Sequence, residues 1–161
     1  MKRIFNYILF ALPLLFTASC QEGETKSLKK VDAPLFPKGE QVVSENFVGT
    51  VWLHYLAESD TTFNVNIGSV TFAPGARTNW HYHIGGQILL VTEGKGLYQE
   101  KGKPVEIMEK GQIVKCPPNI EHWHGATATD SMTHVAIGTN TNIGGAVWLK
   151  PVTEEEYNSL K

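Results

Sequence analysis

From Phe47 to Leu149 the chain is a succession of short apolar–polar alternations broken by turn residues. Side chains of a strand point alternately to its two faces, so a period of two marks a strand with one buried face. Phe63 to Phe72 (FNVNIGSVTF) shows this most clearly, and Val48 to Ala57 (VGTVWLHYLA) is rich in β-branched and aromatic residues. Thr78 to Ile84 reads as one further strand. Gln87 to Thr92 (QILLVT) is apolar on both faces, which predicts a central strand. Glu93-Gly94-Lys95-Gly96 has the composition of a hairpin turn, followed by Leu97 to Glu100, a turn at Gly102-Lys103-Pro104, and Val105 to Glu109. Gln112 to Cys116, Glu121 to Ala126, Ser131 to Gly138 and Ala146 to Leu149 complete about ten strands, at the spacing of a sandwich or barrel. Only Thr153 to Leu160 carries a helical pattern. Thr153 and Glu156 fit a capping box behind Pro151, and the three glutamates suit a helix N-terminus. The expectation is an all-β antiparallel fold over residues 47–150 with a short C-terminal helix in 151–161.

Composition adds a compartment. Apolar residues make up 42% of the 161, enough for one packed core, and 15 glycines with 8 prolines favour turns over long helices. A formal charge of −2 gives no electrostatic basis for binding nucleic acid. Residues 1–19 have a basic start (Lys2, Arg3) and an apolar run from Ile4 to Phe16 that is too short for a transmembrane helix. With Thr17-Ala18-Ser19-Cys20 this stretch resembles a bacterial lipoprotein signal, although Thr17 stands where an aliphatic residue is usual. The resemblance implies export, a lipid on Cys20 and anchorage in the bacterial cell envelope, on its periplasmic or surface side. The alternative is a plain secretory signal. Residues 20–46 are polar and aperiodic, and read as a tether whose last part lies against the fold. With Cys20 acylated, Cys116 has no disulfide partner; it reads as a small buried residue, with a soft metal ligand or nucleophile as the sharper alternative.

The chemistry is in the histidines. Of six, His81 and His83 form one i,i+2 pair and His122 and His124 another, each in a strand-like segment beside a turn. Each pair shares a face, and in a barrel alternate residues point inward, so the four rings can converge on one interior. Imidazole suits zinc, copper, iron and nickel, and Gln87 adds a neutral oxygen donor. An ion held by neutral donors keeps its full charge and is a stronger Lewis acid. The competing reading is a metal-free barrel whose histidines line a polar cavity. His54, with no partner two residues away, reads as a packed residue.

Gly75-x5-His81-x-His83-x3-Gln87-x6-Gly94 and Gly111-x5-Pro117-x-Asn119-x2-His122 resemble the two motifs of the cupin superfamily. Gln87 stands in place of a glutamate, Asn119 of a glycine and Ala126 of the closing asparagine. The strings FAPGARTNWHYH, GQILLVTEGKG, PPNIEHWHGATATDSMTH and VTEEEY are similar to a subgroup found alone or fused to carboxymuconolactone decarboxylase-like domains, which includes manganese-dependent hydroxynitrile lyases. The resemblance implies a jelly-roll β-barrel and a divalent ion, manganese first with iron, zinc or nickel as alternatives. It implies His81, His83, Gln87 and His122 as metal ligands. It places Val70, His124 and His134 on the active-site wall, and Gly138 where those lyases carry a glutamine.

Three functions follow. The first is an enzyme for a small oxygenated molecule, with lyase or isomerase chemistry and His124 or His134 as catalytic proton carrier; the blander role for both is to orient a ligand. The second is a dioxygenase using a redox metal. The third is a non-catalytic envelope barrel binding a small molecule or a metal. The resemblance also implies a homodimer.

Overall fold

The computed structural model describes residues 33–160. The signal, Cys20 and the first part of the tether lie outside the described residues. The alternating segments form strands β1 (Glu40–Gln41), β2 (Phe47–Val48), β3 (Val51–Ala57), β4 (Val65–Phe72), β5 (Arg77–Thr78) and β6 (His81–His83). They continue as β7 (Gln87–Glu100), β8 (Glu106–Glu109), β9 (Ile113–Cys116), β10 (His122–Ala126), β11 (Met132–Thr139) and β12 (Ala146–Trp148), before helix α1 (Glu154–Tyr157). Pairing is antiparallel throughout, in the order β1-β3-β4-β11-β7-β10-β5-β2, with β6 bridging β10 and β12 and with β8 and β9 on β7. The sheet curls on itself into the all-β jelly-roll barrel expected from the sequence. β1 belongs to the tether and pairs with β3 through Glu40–Leu53 and Gln41–Trp52.

Two expectations change. Thr78 to Ile84 is split, because Asn79 and Trp80 leave the ladder between β5 and β6. The hairpin at Glu93–Gly96 is absent: β7 runs unbroken for 14 residues. Its first half pairs with β9 and β11, its second with β8 and β10, so this one strand passes from one layer to the other. Gly94 makes the corner. Its φ is +70°, the ladder with β11 slips beside it, and a Cβ there would run into the Ser131 carbonyl oxygen.

The interior packs Val51, Phe72, Leu89, Val91, Tyr98, Met108, Cys116 and Met132. A second cluster, Trp80, Leu97, Trp123, Val152 and Tyr157, lies on the outer face of the β7–β10 layer. α1 holds that face. The Thr153–Glu156 capping box forms as expected, Tyr157 Oη donates to the Ala126 carbonyl at 2.9 Å, and Arg77 stacks on the Tyr157 ring while pairing with Glu154 at 2.6 Å. Large side chains buried this way stabilise by about 1.5–3 kcal/mol each. A short capped helix thereby keeps β10, which carries two of the histidines, pressed onto the barrel.

Candidate metal centre

β6 lies between β10 and β12, with His81 directly opposite both His122 and Trp148, and His83 opposite Ala146. Strand parity turns His81, His83, His122 and His124 into the barrel. After His83 the chain bends through Gly85 and Gly86. Gly86 has a φ of +85°, and a Cβ on Gly85 would strike the Thr139 carbonyl oxygen. Thr139 Oγ1 and Asn140 Nδ2 donate to the Gly85 carbonyl at 2.8 and 3.0 Å. This bend delivers Gln87, the first residue of β7, back beside His83. The second motif is pinned to the first by Asn119, whose N–H donates to the His83 carbonyl at 2.9 Å. Asn119 has a φ of +62°, the left-handed region that glycine favours and asparagine tolerates, so its substitution for the motif glycine leaves the turn intact.

The donor nitrogens of His81, His83 and His122 lie within 4.8 Å of one another. His81 Nδ1 is 3.0 Å from the Asn79 carbonyl and His122 Nδ1 is 2.8 Å from the Ile120 carbonyl. A carbonyl only accepts, so both Nδ1 atoms carry the proton and both Nε2 atoms hold a free lone pair. His83 Nε2, His122 Nε2 and Gln87 Oε1 are buried without a hydrogen-bond partner. A buried polar atom left unpaired costs about 1–3 kcal/mol, and a cation between the three histidines would relieve His83 and His122. Burial, then the neighbouring His122, holds His81 well below the ordinary histidine range and His83 at about 4. Burial also lowers His122, opposed by its bond to Ile120 and by the Glu100 carboxylate. At neutral pH the rings are uncharged, which is the form that ligates a metal. The three histidines present therefore fit a metal ion, with neutral donors.

His124 and His134 form a second buried group beside the first. His134 Nε2 and His124 Nδ1 are 3.2 Å apart, and the His124 ring centre lies 5.3 Å from that of His81. Both rings pack on Phe72. Burial keeps His134 at about 4, and burial followed by His134 itself holds His124 well below its ordinary value.

A cavity of about 270 Å³ adjoins His83 and Gln87. Its walls include Leu53, Tyr55, Ile67, Val70 and Ala136 together with His83 and Gln87, and no lysine or arginine. Val70 and Gly138 line it, as the resemblance implied. His124 and His134 do not: His134 is opposite Val70 in the β4–β11 ladder and shares its inward face, but it is fully buried and neither ring is on the lining. At Gly138 a Cβ would meet only Asn66 O at 3.9 Å and Thr141 Cγ2 at 4.0 Å, so the missing side chain is space in the cavity. His54 alternates with cavity-lining Leu53 and Tyr55 and so faces outward. Cys116 is buried, its thiol pushed up to about 12 by burial, and is inert packing. The sequence reading missed Leu53, Tyr55 and Asn66 as cavity walls. Their inward parity in β3 and β4 was the available signal.

A curled antiparallel barrel enclosing a histidine cluster from two strand pairs is the architecture of a small cupin, and the family comparison agrees: the Cupin domain matches residues 68–138. The chain belongs to the cupin family. It is 40% identical over 130 residues to an (R)-mandelonitrile lyase from Granulicella tundricola, an alignment covering 81% of this chain and 97% of that protein. The crystal structure of a cupin-like protein from Thermotoga maritima is 48% identical with a TM-score of 0.75, covering 79% of this chain and 97% of that one. A predicted oxalate decarboxylase, also from Thermotoga maritima, shares the fold alone, at 17% identity and a TM-score of 0.56 over 68% of this chain and 91% of its own.

Proposed function

We propose that the protein is a metal-dependent lyase for a small, neutral, hydroxyl-bearing molecule with an apolar body, the cyanohydrins being the leading class. The observation that carries this is the placement of two buried polar atoms without a hydrogen-bond partner, His83 Nε2 and Gln87 Oε1, in residues that line a largely apolar cavity with no cationic residue. Beyond the charge of the ion itself, the walls add no cationic side chain for a carboxylate or phosphate. The relative named for mandelonitrile, itself an aromatic cyanohydrin, supports the same class.

His81, His83, His122 and Gln87 would hold the ion, which when bound supplies Lewis acidity toward the substrate oxygen. Manganese is the first candidate, by the resemblance of the ligand set. Leu53, Ile67, Val70 and Ala136 hold the apolar body and keep water from the reacting carbon. His124 would accept the hydroxyl proton: it is not on the cavity lining, but its ring centre lies 5.3 Å from that of His81, so a hydroxyl held at the three-histidine group would sit beside it. It retains 4% exposure where His134 retains none, and His134 serves to fix its ring. As the proton leaves, the oxygen electrons form the carbonyl. The bond to the nitrile carbon then breaks, and its electron pair departs on cyanide. The His124 imidazolium returns the proton, giving aldehyde and hydrogen cyanide.

The test is release of benzaldehyde from mandelonitrile by the purified protein, followed by absorbance, with an oxygen electrode in the same cell. Aldehyde release without oxygen uptake supports the reading. Oxygen uptake dependent on iron would instead support a dioxygenase, and binding of the nitrile with no turnover would support a non-catalytic barrel.

The compartment is a proposal from the sequence: export and a lipid on Cys20 place the barrel in the bacterial envelope. Cys20→Ala should move the protein from the membrane fraction to the soluble one. A homodimer is proposed on the family resemblance, and sedimentation at low salt and high salt tests it.

A further inference from the structure

We propose that Glu100 is a positioning residue of the metal centre, supplying from just outside the ligand shell the negative charge that three imidazoles and an amide lack. This rests on the metal reading above. Glu100 ends β7 directly opposite His122 on β10, and Tyr98 is directly opposite His124, so all four side chains share the inward face. Tyr98 is buried, its ring centre 5.7 Å from that of His122, and its hydroxyl donates to Glu100 Oε1 at 3.2 Å. Cys116, opposite Gln87 in the β7–β9 ladder, packs against the same hydroxyl. A continuous group thus runs from the ligands His122 and Gln87 through Tyr98 to one carboxylate.

The carboxylate is the covered member of its own ion pair. Glu100 Oε2 meets Lys103 Nζ, with the glutamate side chain 15% exposed and the lysine 61% exposed. Water screens the ammonium, and screens the carboxylate much less. The field reaching the barrel interior from this pair is therefore negative. A bound cation at His122 Nε2 lies on the side this field stabilises. Partners just outside a metal shell commonly tune affinity in this way.

Titration with Mn²⁺ against a competing fluorescent chelator tests the assignment. Glu100→Gln keeps the shape and should weaken Mn²⁺ binding about tenfold, with the melting temperature of the metal-free protein unchanged. Lys103→Met frees the carboxylate from its counter-ion and should tighten binding, a reversal that a purely structural role does not produce. In a Gln87→Glu background, where the shell carries its own charge, Glu100→Gln should have a smaller effect. Wild-type binding of one ion with equal affinity in Glu100→Gln and Lys103→Met overturns the inference alone. A wild type that takes up no ion overturns the metal reading and the inference together.

Discussion

His134 Nε2 lies 3.2 Å from His124 Nδ1, in a contact closed off by Phe72 on one side and the His81 ring on the other. One of the two nitrogens carries the proton, so each ring fixes the tautomer of the other. In the proposed reaction the other nitrogen of His124, Nε2, is the one that would exchange the proton. His124→Ala should lower turnover by about 10²-fold or more while leaving the metal content at the wild-type level. His134→Gln should lower it less. Steady-state kinetics beside elemental analysis of each variant checks both.

Acid should destabilise the metal-free protein. His83 and His134 sit at about 4 in the folded chain, against the ordinary histidine value of 6.5 in the unfolded one. Between those values the unfolded state binds more protons, so stability rises with pH across the window. It is fully present above 6.5, is lost progressively on acidification, and the loss from these groups levels off below 4. Urea midpoints measured between pH 7 and pH 4 should fall steadily. A flat profile would mean that these rings are not held neutral by burial.

Gln87→Glu should retain the ion and bind it more tightly, because it adds a charge with little change of shape. The same charge reduces the Lewis acidity available to the substrate oxygen, so turnover should fall. Calorimetric Mn²⁺ titration alongside the aldehyde assay separates the two effects. Tighter binding with undiminished turnover would show that the neutral amide has no chemical purpose.

Gly94→Ala should destabilise by more than about 1 kcal/mol, since the corner needs a positive φ and the methyl would meet the Ser131 carbonyl. Gly102→Ala, with a φ of +81° but open space around it, should cost less. Denaturant unfolding of the two variants measures the difference that close packing adds to backbone strain.

Strand parity made much of this molecule legible. Two i,i+2 histidine pairs in alternating segments could face only one way each, and β10 sits directly opposite β6. The C-terminal helix was readable because capping chemistry is local. The stretch Glu93–Gly96 misled because the residues that favour a hairpin turn also suit a strand that bends sharply and passes close under a neighbour. Gly96 would collide with Met132 and Gly125 if it carried a Cβ, a constraint set by elements far along the chain. For the same reason the Asn79 and Ile120 carbonyls that orient His81 and His122, and the complete burial of His134 against His124, left no mark in the local pattern.

The most direct test of the metal centre is elemental analysis of the purified protein beside His81→Ala/His83→Ala, with circular dichroism to verify that the barrel remains. One divalent ion per wild-type chain, lost in a variant that keeps its β-sheet spectrum, is the expected result. A wild type that stays free of metal after incubation with manganese, iron, zinc and nickel would contradict it.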